Sequence, residues 1–250
     1  MIDLSGKTAL VTGGSRGIGR ATALMLARAG ADVAFTYHTR RGEAEQVAEE
    51  IRGLGRKVFV DGADLAQPAA VDRIFHGFSR TFRQLDLFIA NAGIWPPEET
   101  PLRDLDPGRW RTTLSANLDA IYLTTRAALR IIPAGGRVVM VGSTAGQRGE
   151  AFHSDYAATK GAMIALVRSL AIECAPDITV NCVAPGWVDT EMCAPAFAAG
   201  GRERIALTIP LKRVASADDV AGPIVFLCSD LARHVTGEVL NVNGGTVLCG

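Results

Sequence analysis

The fold is decided by residues 8–19, which read TALVTGGSRGIG. Residues 8–11 are apolar or β-branched and predict a short buried strand, and glycines follow at positions 13, 17 and 19. Residues 20–29 then have the composition of a helix. Glycines permit a tight turn that brings backbone N–H groups against a pyrophosphate at the positive end of a helix. This stretch, spaced GxxxGxG, therefore predicts a dinucleotide-binding strand–turn–helix unit.

The rest of the chain alternates between short apolar runs and segments with helical spacing. Seven strands are predicted, at residues 8–11, 32–37, 57–60, 85–89, 137–141, 178–183 and 237–242. Segments between most of them place apolar residues on one helical face, as Ala44, Val47 and Ile51 do. This alternation predicts an α/β protein: a doubly wound Rossmann fold with a seven-stranded parallel sheet and helices on both faces.

One segment breaks the alternation. Residues 187–211 contain Pro195, Gly200, Gly201 and Pro210 among scattered apolar residues, which indicates a loop-plus-helix insertion. No linker or composition shift divides the remaining chain. We therefore predict a single nucleotide-binding domain over residues 1–250, with a mobile substrate lid at about residues 187–211.

The charge balance excludes some classes of protein. Lys and Arg total 26, Asp and Glu total 26, and the formal net charge is zero, which argues against a polycationic nucleic-acid-binding chain. Hydrophobic residues make up 48% of the chain, enough for a substantial core. No apolar run approaches the roughly 18–20 residues of a membrane span. We expect neither a nucleic acid nor a membrane as partner.

The five cysteines do not indicate a disulfide framework or a metal site. Their number is odd, they lie in the last third of the chain, and none is spaced CxxC. We interpret them as small buried hydrophobic residues in a reducing compartment and predict a cytoplasmic protein without a bound metal.

The end of the second predicted strand bears on which dinucleotide binds. An acidic residue here would bind the ribose 2′-hydroxyl of NAD, but the chain reads Tyr37-His38-Thr39-Arg40-Arg41. Arg16 lies within the glycine turn. Arginines favour a 2′-phosphate through charge-assisted hydrogen bonds, so we predict NADP(H) as the preferred cofactor, with NAD(H) as the alternative.

A second motif, Tyr156-Ala-Ala-Thr-Lys160, indicates proton-transfer chemistry. Residues four apart on a helix project from the same face. An ammonium close to a phenol favours the phenolate, so Lys160 is expected to lower the pKa of Tyr156 and make it usable as a general acid or base. Ser143 follows a predicted strand, at the sheet edge where ligands bind.

Together these motifs resemble the short-chain dehydrogenase/reductase family, in its compact form, over essentially the whole chain. The matching elements, in the family's order, are Thr12-Gly13-x-x-x-Gly17-x-Gly19, Asp64, Asn91-Ala92-Gly93, Asn117, Ser143, Tyr156-x-x-x-Lys160, Pro185-Gly186 and Thr190. The chain departs from the family's Asn-Asn-Ala-Gly turn, since its first Asn is Ala90 here. We expect only a small effect on packing.

The resemblance implies roles for individual residues. Tyr156 would exchange a proton with the substrate oxygen, Ser143 would hydrogen-bond that oxygen, Lys160 would bind the nicotinamide ribose, and Asn117 would hold a water in a proton relay. Asp64 would accept from the adenine amino group. The implied cofactor-binding residues are Gly13, Ser15, Arg16, Gly17, Ile18, Gly19, Arg40, Arg41, Asp64, Leu65, Asn91, Ala92, Gly93, Tyr156, Lys160, Pro185, Gly186, Val188 and Thr190.

The sequence indicates less about the substrate than about the cofactor. Candidate pocket residues near the site segments are Trp95, Phe152, His153, Trp187 and Met192. The overall pattern resembles 3-oxoacyl-[acyl-carrier-protein] reductases. However, the two basic positions that dock the carrier protein in such enzymes are Ala134 and Asp177 here, so binding of an acyl carrier protein is doubtful.

The leading hypothesis is therefore an NADPH-dependent oxidoreductase that reduces a carbonyl to an alcohol, with a 3-oxoacyl thioester as one candidate substrate. An NAD-dependent alcohol, sugar or steroid dehydrogenase is the alternative, and a non-catalytic dinucleotide sensor is a third. The resemblance also implies a homotetramer.

Overall fold

The computed structural model describes residues 2–248. In this range the chain forms a seven-stranded sheet. The strands are β1 (Thr8–Val11), β2 (Asp32–Tyr37), β3 (Val58–Gly62), β4 (Leu87–Ala90), β5 (Arg137–Val141), β6 (Thr179–Pro185) and β7 (Val239–Val242). Each overlaps a predicted strand. β6 extends two residues beyond its prediction because it pairs with β7 as far as Pro185 opposite Val242.

The strands are all parallel and lie in the order β3-β2-β1-β4-β5-β6-β7. From β1 the chain builds outward to β2 and β3, and from β4 it builds in the opposite direction to β5, β6 and β7. The connections that follow β1 and β4 therefore lie on opposite faces of the sheet. A crevice opens at the carboxyl ends of the strands at such a point. The predicted doubly wound Rossmann fold is confirmed, and this crevice positions the site.

Helices cover both faces of the sheet. The α-helices in the described residues are α1 (Gly17–Arg28), α2 (Arg41–Gly53), α3 (Pro68–Thr81), α4 (Pro107–Leu114), α5 (Ala120–Leu129), α6 (Thr144–Arg148), α7 (Ser154–Glu173), α8 (Ala194–Phe197), α9 (Gly201–Thr208) and α10 (Ala217–Leu227). A π-helical turn, Ser115–Asp119, joins α4 to α5. No helix in residues 2–248 is both long enough and apolar enough to cross a membrane.

Two hydrophobic cores lie on the two faces of the sheet. Side chains of α1, α2 and α10 pack on one face, and those of α3, α5 and α7 pack on the other. Successive strand residues alternate between them, so Val139 belongs to the first core while Val138 and Met140 belong to the second. Because both faces are buried, most strand residues are apolar, instead of alternating regularly with polar ones.

The segment predicted as a lid contains short helices. A 3-10 turn (Glu191–Cys193) is followed by α8 and α9, and Val188 bridges to Ala215 beside the sheet. Its mobility stays a prediction. Of the cysteines, Cys182 and Cys228 are buried, Cys174 and Cys193 are half-buried, and all four are free thiols. Cys249 lies outside the described residues.

Candidate active site

A cavity of about 1400 Å³ lies at the carboxyl edge of the sheet. This exceeds the roughly 300–1,000 Å³ of a pocket for one small ligand, and leaves room for a dinucleotide together with a substrate. Nearly all of the predicted site residues line it: Gly13, Ser15, Arg16, Gly17, Ile18, Gly19, Arg40, Asp64, Leu65, Asn91, Ala92, Gly93, Trp95, Ser143, Phe152, His153, Tyr156, Lys160, Pro185, Gly186, Trp187, Val188, Thr190 and Met192. The two predicted residues outside this lining are Arg41 and Asn117.

The glycine turn packs too closely to admit side chains. A Cβ added to Gly19 would lie 2.0 Å from the Gly13 carbonyl oxygen. The Asn91 amide donates to the carbonyls of Thr12 and Gly13, at 2.9 and 3.1 Å, and holds the turn against β4. α1 begins at Gly17 without a side-chain cap and without an acidic residue in its first turn. Its first N–H groups therefore suit an anionic ligand such as a pyrophosphate.

Two arginines at one end of the cavity face a carboxylate from the 3-10 turn Glu191–Cys193. Arg16 Nη1 lies 2.7 Å from Glu191 Oε2, and Arg40 Nη2 lies 3.8 Å from the same oxygen. Arg40 also donates to Glu43 at 3.1 Å. The structure places Arg41 outside the cavity, since it is the first residue of α2 and donates to Glu45 one turn later. Of the predicted arginine pair, only Arg40 lines the cavity.

The other end of the cavity holds the predicted proton-transfer residues. Tyr156 and Lys160 project from the first turns of α7 and are both buried. Lys160 Nζ donates to the Val141 carbonyl at 2.7 Å and lies 5.7 Å from the centre of the Tyr156 ring. Ser143 caps α6 by accepting from the Ala145 N–H. The α7 helix and the carboxyl end of β5 thus bring the three predicted groups together.

Burial dominates the protonation of this cluster. The pKa of Tyr156 is raised well above its usual value, mainly by burial, while a hydrogen bond with Ser143 acts in the opposite direction. Burial also lowers the pKa of Lys160 to about 8. Desolvation disfavours the charged form of each group, and the expectation that Lys160 lowers the pKa of Tyr156 stays a prediction.

Asn117 lies within the π-helical turn and is completely buried. Its Oδ1 accepts from the Ile94 N–H at 2.7 Å and its Nδ2 donates to the Ile94 carbonyl at 2.9 Å. A Cβ on Gly93 would lie 2.9 Å from Asn117 Oδ1 and 3.9 Å from Lys160 Nζ, so both side chains approach Gly93 closely. The side-chain amide fixes the loop after β4, and the proton relay stays a prediction.

The substrate end contains an aromatic group and a carboxylate. Trp95 stacks on His153 with ring centres 4.7 Å apart, and the edge of Trp187 meets Trp95 at 6.0 Å. Trp187 in turn contacts Phe197 of α8, so the aromatic contacts extend to the short helices after β6. Glu150 accepts from the Trp95 indole N–H at 3.1 Å, and burial raises the pKa of Glu150.

The cavity-lining residues that sequence reasoning missed include Glu150 and Glu191. Both are acidic residues in loops or short turns, and no motif sets them apart from surface carboxylates. Asp64, which was predicted, accepts from the Ala66 N–H at 3.0 Å and shapes the turn after β3. Its contact with adenine stays a prediction.

Comparison with known proteins gives a consistent group of relatives. A family model described as enoyl-(acyl carrier protein) reductase matches residues 13–247. The chain is 34% identical to the 3-oxoacyl-[acyl-carrier-protein] reductase FabG of Salmonella typhimurium over 247 residues, covering 98% of both chains. A solved short-chain dehydrogenase from Burkholderia cenocepacia in complex with NADP is 39% identical, with a TM-score of 0.91 over 97% of this chain and 98% of that one. A glucose/ribitol dehydrogenase from Brucella melitensis is 30% identical, with a TM-score of 0.92 over 99% of each chain.

Proposed function

The chain belongs to the short-chain dehydrogenase/reductase family of NAD(P)-dependent oxidoreductases, and from that premise we propose that it uses NADPH to reduce a carbonyl compound to an alcohol. The observation that carries the proposal is the grouping of Ser143, Tyr156 and Lys160 in the cavity that also contains the glycine turn. A proton donor and a dinucleotide cradle in one crevice are the two parts that carbonyl reduction requires.

The residues of the cavity fit a nicotinamide dinucleotide. The glycine turn and the N-terminus of α1 would hold the pyrophosphate. Asp64 and Leu65 would contact the adenine, and Asn91-Ala92-Gly93 would contact the part of the cofactor next to the pyrophosphate. Lys160 would bind the nicotinamide ribose, with Pro185-Gly186, Val188 and Thr190 around the nicotinamide. When bound, the cofactor supplies the hydride.

The protein's own part is to orient the carbonyl and to donate a proton. Tyr156 donates its hydroxyl proton to the substrate oxygen, and Ser143 donates a hydrogen bond to the same oxygen as negative charge develops there. Burial raises the pKa of Tyr156, so in the protein without cofactor the hydroxyl carries the proton that carbonyl reduction requires.

The preference for NADPH rests on Arg16 and Arg40, which line the cavity at the end of β2. Charge-assisted hydrogen bonds to a 2′-phosphate are worth about 1.5–3 kcal/mol each. Arg40→Ala is therefore expected to weaken NADPH binding at least about tenfold and to leave NADH binding nearly unchanged, as measured by fluorescence titration. Arg41→Ala is the matched control, since Arg41 faces Glu45 instead. Equal affinities of the wild type for NADPH and NADH would overturn the assignment of these arginines to a 2′-phosphate.

The turnover test is a screen of ketones, quinones and acetoacetyl thioesters in the presence of NADPH. Reduction of each compound is measured as the loss of NADPH absorbance. Reduction of one class, abolished by removing the Tyr156 hydroxyl, is the expected result. A 3-oxoacyl thioester is a candidate because the relative in Salmonella typhimurium is named as a 3-oxoacyl-[acyl-carrier-protein] reductase. Ala134 and Asp177 are exposed and provide no positive charge for an acidic carrier protein. We therefore propose a free thioester or another carbonyl compound, and not the carrier-bound form.

We further propose a cytoplasmic homotetramer. The exposed residues of α7 include Ala158, Ala165 and the largely exposed Ile172, beside Arg168, Ser169 and Glu173. Tyr122 of α5 is also exposed. Such surfaces suit helix packing between subunits. Light scattering coupled to gel filtration measures the assembly. The four free thiols are consistent with a reducing compartment.

A further inference from the structure

The segment that follows β4, residues 91–101, lines the cavity without forming a helix or a strand, and we call it the cavity loop. Ile94, Trp95, Pro97 and Glu99 of this loop all belong to the cavity lining. A loop keeps a defined position only where other elements hold it. Asn117 holds its first half through two hydrogen bonds to Ile94. The second half depends on a separate support.

Arg109 of α4 holds the second half of the cavity loop. Its Nη1 donates to the Glu98 carbonyl at 2.6 Å and to Thr100 Oγ1 at 3.0 Å. The Thr100 N–H in turn donates to the Phe152 carbonyl at 3.0 Å. Phe152 lines the cavity and has a φ of 66°, a left-handed conformation that a bulky residue keeps only when its surroundings hold it. One guanidinium thus fixes the loop and, through Thr100, reaches the turn before α7.

Asp155 anchors Arg109 to the helix that carries the proton donor. It directly precedes Tyr156 in α7 and is completely buried. Its Oδ2 accepts from Arg109 Nε at 3.1 Å and from Thr113 Oγ1 at 2.9 Å. Burial acts to raise the pKa of Asp155, but the hydrogen bonds from Arg109 and Thr113 outweigh it and hold this pKa below its usual value. Asp155 is therefore a carboxylate near neutral pH.

The connection uses the forked shape of the guanidinium. Nε of Arg109 faces the carboxylate on α7 while Nη1 faces the cavity loop, and a lysine ammonium carries the same charge at one point and cannot span both partners. Nη2 is buried without a hydrogen-bond partner among residues 2–248. A buried ion pair with an unpaired donor adds little net stability. What this pair provides is a fixed geometry between two elements.

We propose that Arg109 and Asp155 form a positioning pair that holds the cavity loop in a fixed place relative to Tyr156 and so sets how tightly the carbonyl substrate binds. The inference rests on the proposed carbonyl reductase and adds two residues to its binding site. Neither residue is part of the cavity lining, so both act through the loop and not through contact with the substrate.

Arg109→Lys is the discriminating variant, because it keeps a positive charge beside Asp155 but loses the contacts with the cavity loop. We expect its KM for the carbonyl compound to rise about tenfold, with kcat and the KM for NADPH within about twofold of the wild type. The compounds are ethyl acetoacetate, 9,10-phenanthrenequinone and acetoacetyl-N-acetylcysteamine, one for each class of the turnover screen. Hydrogen exchange of the Thr100 amide is expected to be faster in the variant, because its partner Phe152 is held less firmly.

A pair of further variants separates positioning from stability. Arg109→Met leaves the buried carboxylate unpaired and is expected to lower the Tm by about 10 °C. Adding Asp155→Asn removes that charge and should restore most of the Tm, while the KM for the carbonyl compound stays raised. Asp155→Asn alone keeps an acceptor for Arg109 and should leave KM within about threefold of the wild type.

Arg103→Lys is the matched control, since Arg103 is exposed beside the cavity loop and pairs with its neighbour Asp104. An unchanged KM in Arg109→Lys would overturn the inference, and so would a KM that recovers together with the Tm in the double variant. A lower kcat at unchanged KM would also overturn it, because that result indicates loss of folded enzyme only. These three results leave the proposed function standing. A wild type that reduces none of the compounds with NADPH overturns the proposed function and the inference with it.

Discussion

The two ends of the cavity hold their charged groups in opposite ways. At the proton-transfer end, Lys160 is only 4% exposed and Tyr156 is 9% exposed. At the arginine end, the side chains of Arg16, Arg40 and Glu191 are 48%, 53% and 53% exposed. Burial therefore decides the protonation of the first group, whereas water and neighbouring ions decide the pairing of the second.

This difference predicts which substitutions should have a large effect on activity, stability or cofactor binding. Desolvation in the buried cluster lowers the pKa of Lys160 to about 8. Exposed ion pairs contribute about 0–1 kcal/mol and are screened by salt. We thus expect large effects at the buried end and modest, salt-dependent effects at the exposed end.

The largest effect is expected for Tyr156→Phe. Removing the proton donor should lower kcat about a thousandfold, because general acid catalysis contributes about 10²–10⁴-fold. NADPH affinity should stay within about twofold, since the ring and its packing are kept. Stopped-flow measurement of NADPH oxidation and a fluorescence titration give the two values. Tyr122→Phe on the exposed part of α5 is the control, and normal turnover in Tyr156→Phe would refute the assigned role of this hydroxyl.

The second effect concerns stability against pH in the protein without cofactor. Burial lowers the pKa of Lys160 from 10.5 to about 8, so between these values the unfolded chain binds a proton that the folded chain does not. Stability from this residue therefore rises with pH across that window, by up to about 3 kcal/mol. Lys160→Met should lack this rise and should gain most relative to the wild type below pH 8.

Denaturant unfolding at several pH values measures this dependence. Lys57→Met, at an exposed lysine, should retain the wild-type slope. The same slope in Lys160→Met and the wild type would mean that Lys160 keeps its proton in the folded protein, and the contrast between the two ends of the cavity would disappear.

The smallest effect is expected for Glu191→Gln at the exposed end. Glu191 faces both arginines assigned to the 2′-phosphate and competes with that phosphate for them. Its neutralisation should tighten NADPH binding about threefold at low salt, less at high salt, and should change NADH binding little. Glu45→Gln is the control, because Glu45 pairs with Arg41 outside the cavity. Weaker NADPH binding in Glu191→Gln would mean that the carboxylate supports the cofactor site.

Much of the fold and of the proton-transfer group could be predicted because their signals are local. Apolar runs of strand length predict strands, and the spacing of Tyr156 and Lys160 places both on one helical face. The position of Arg41 also had a local signal, since Glu45 follows four residues later on a helix.

The remaining contacts of the site join residues that are distant in the sequence. Glu191 reaches Arg16 across 175 positions and Glu150 reaches Trp95 across 55. Contacts of this kind follow from the way strands and loops are brought together, and a single sequence does not encode them as a pattern.

By itself, then, the sequence determined the parallel sheet, the glycine turn and the motif residues of the site, because each depends on local conformation or on the carboxyl ends of strands. Only the tertiary structure decided that Arg40, and not Arg41, lines the cavity. It also decided that Tyr156 and Lys160 are shifted toward their neutral forms and that His153 Nε2 lacks a partner. Desolvation and long-range pairing depend on what surrounds a group in three dimensions, and residue spacing carries no information about that.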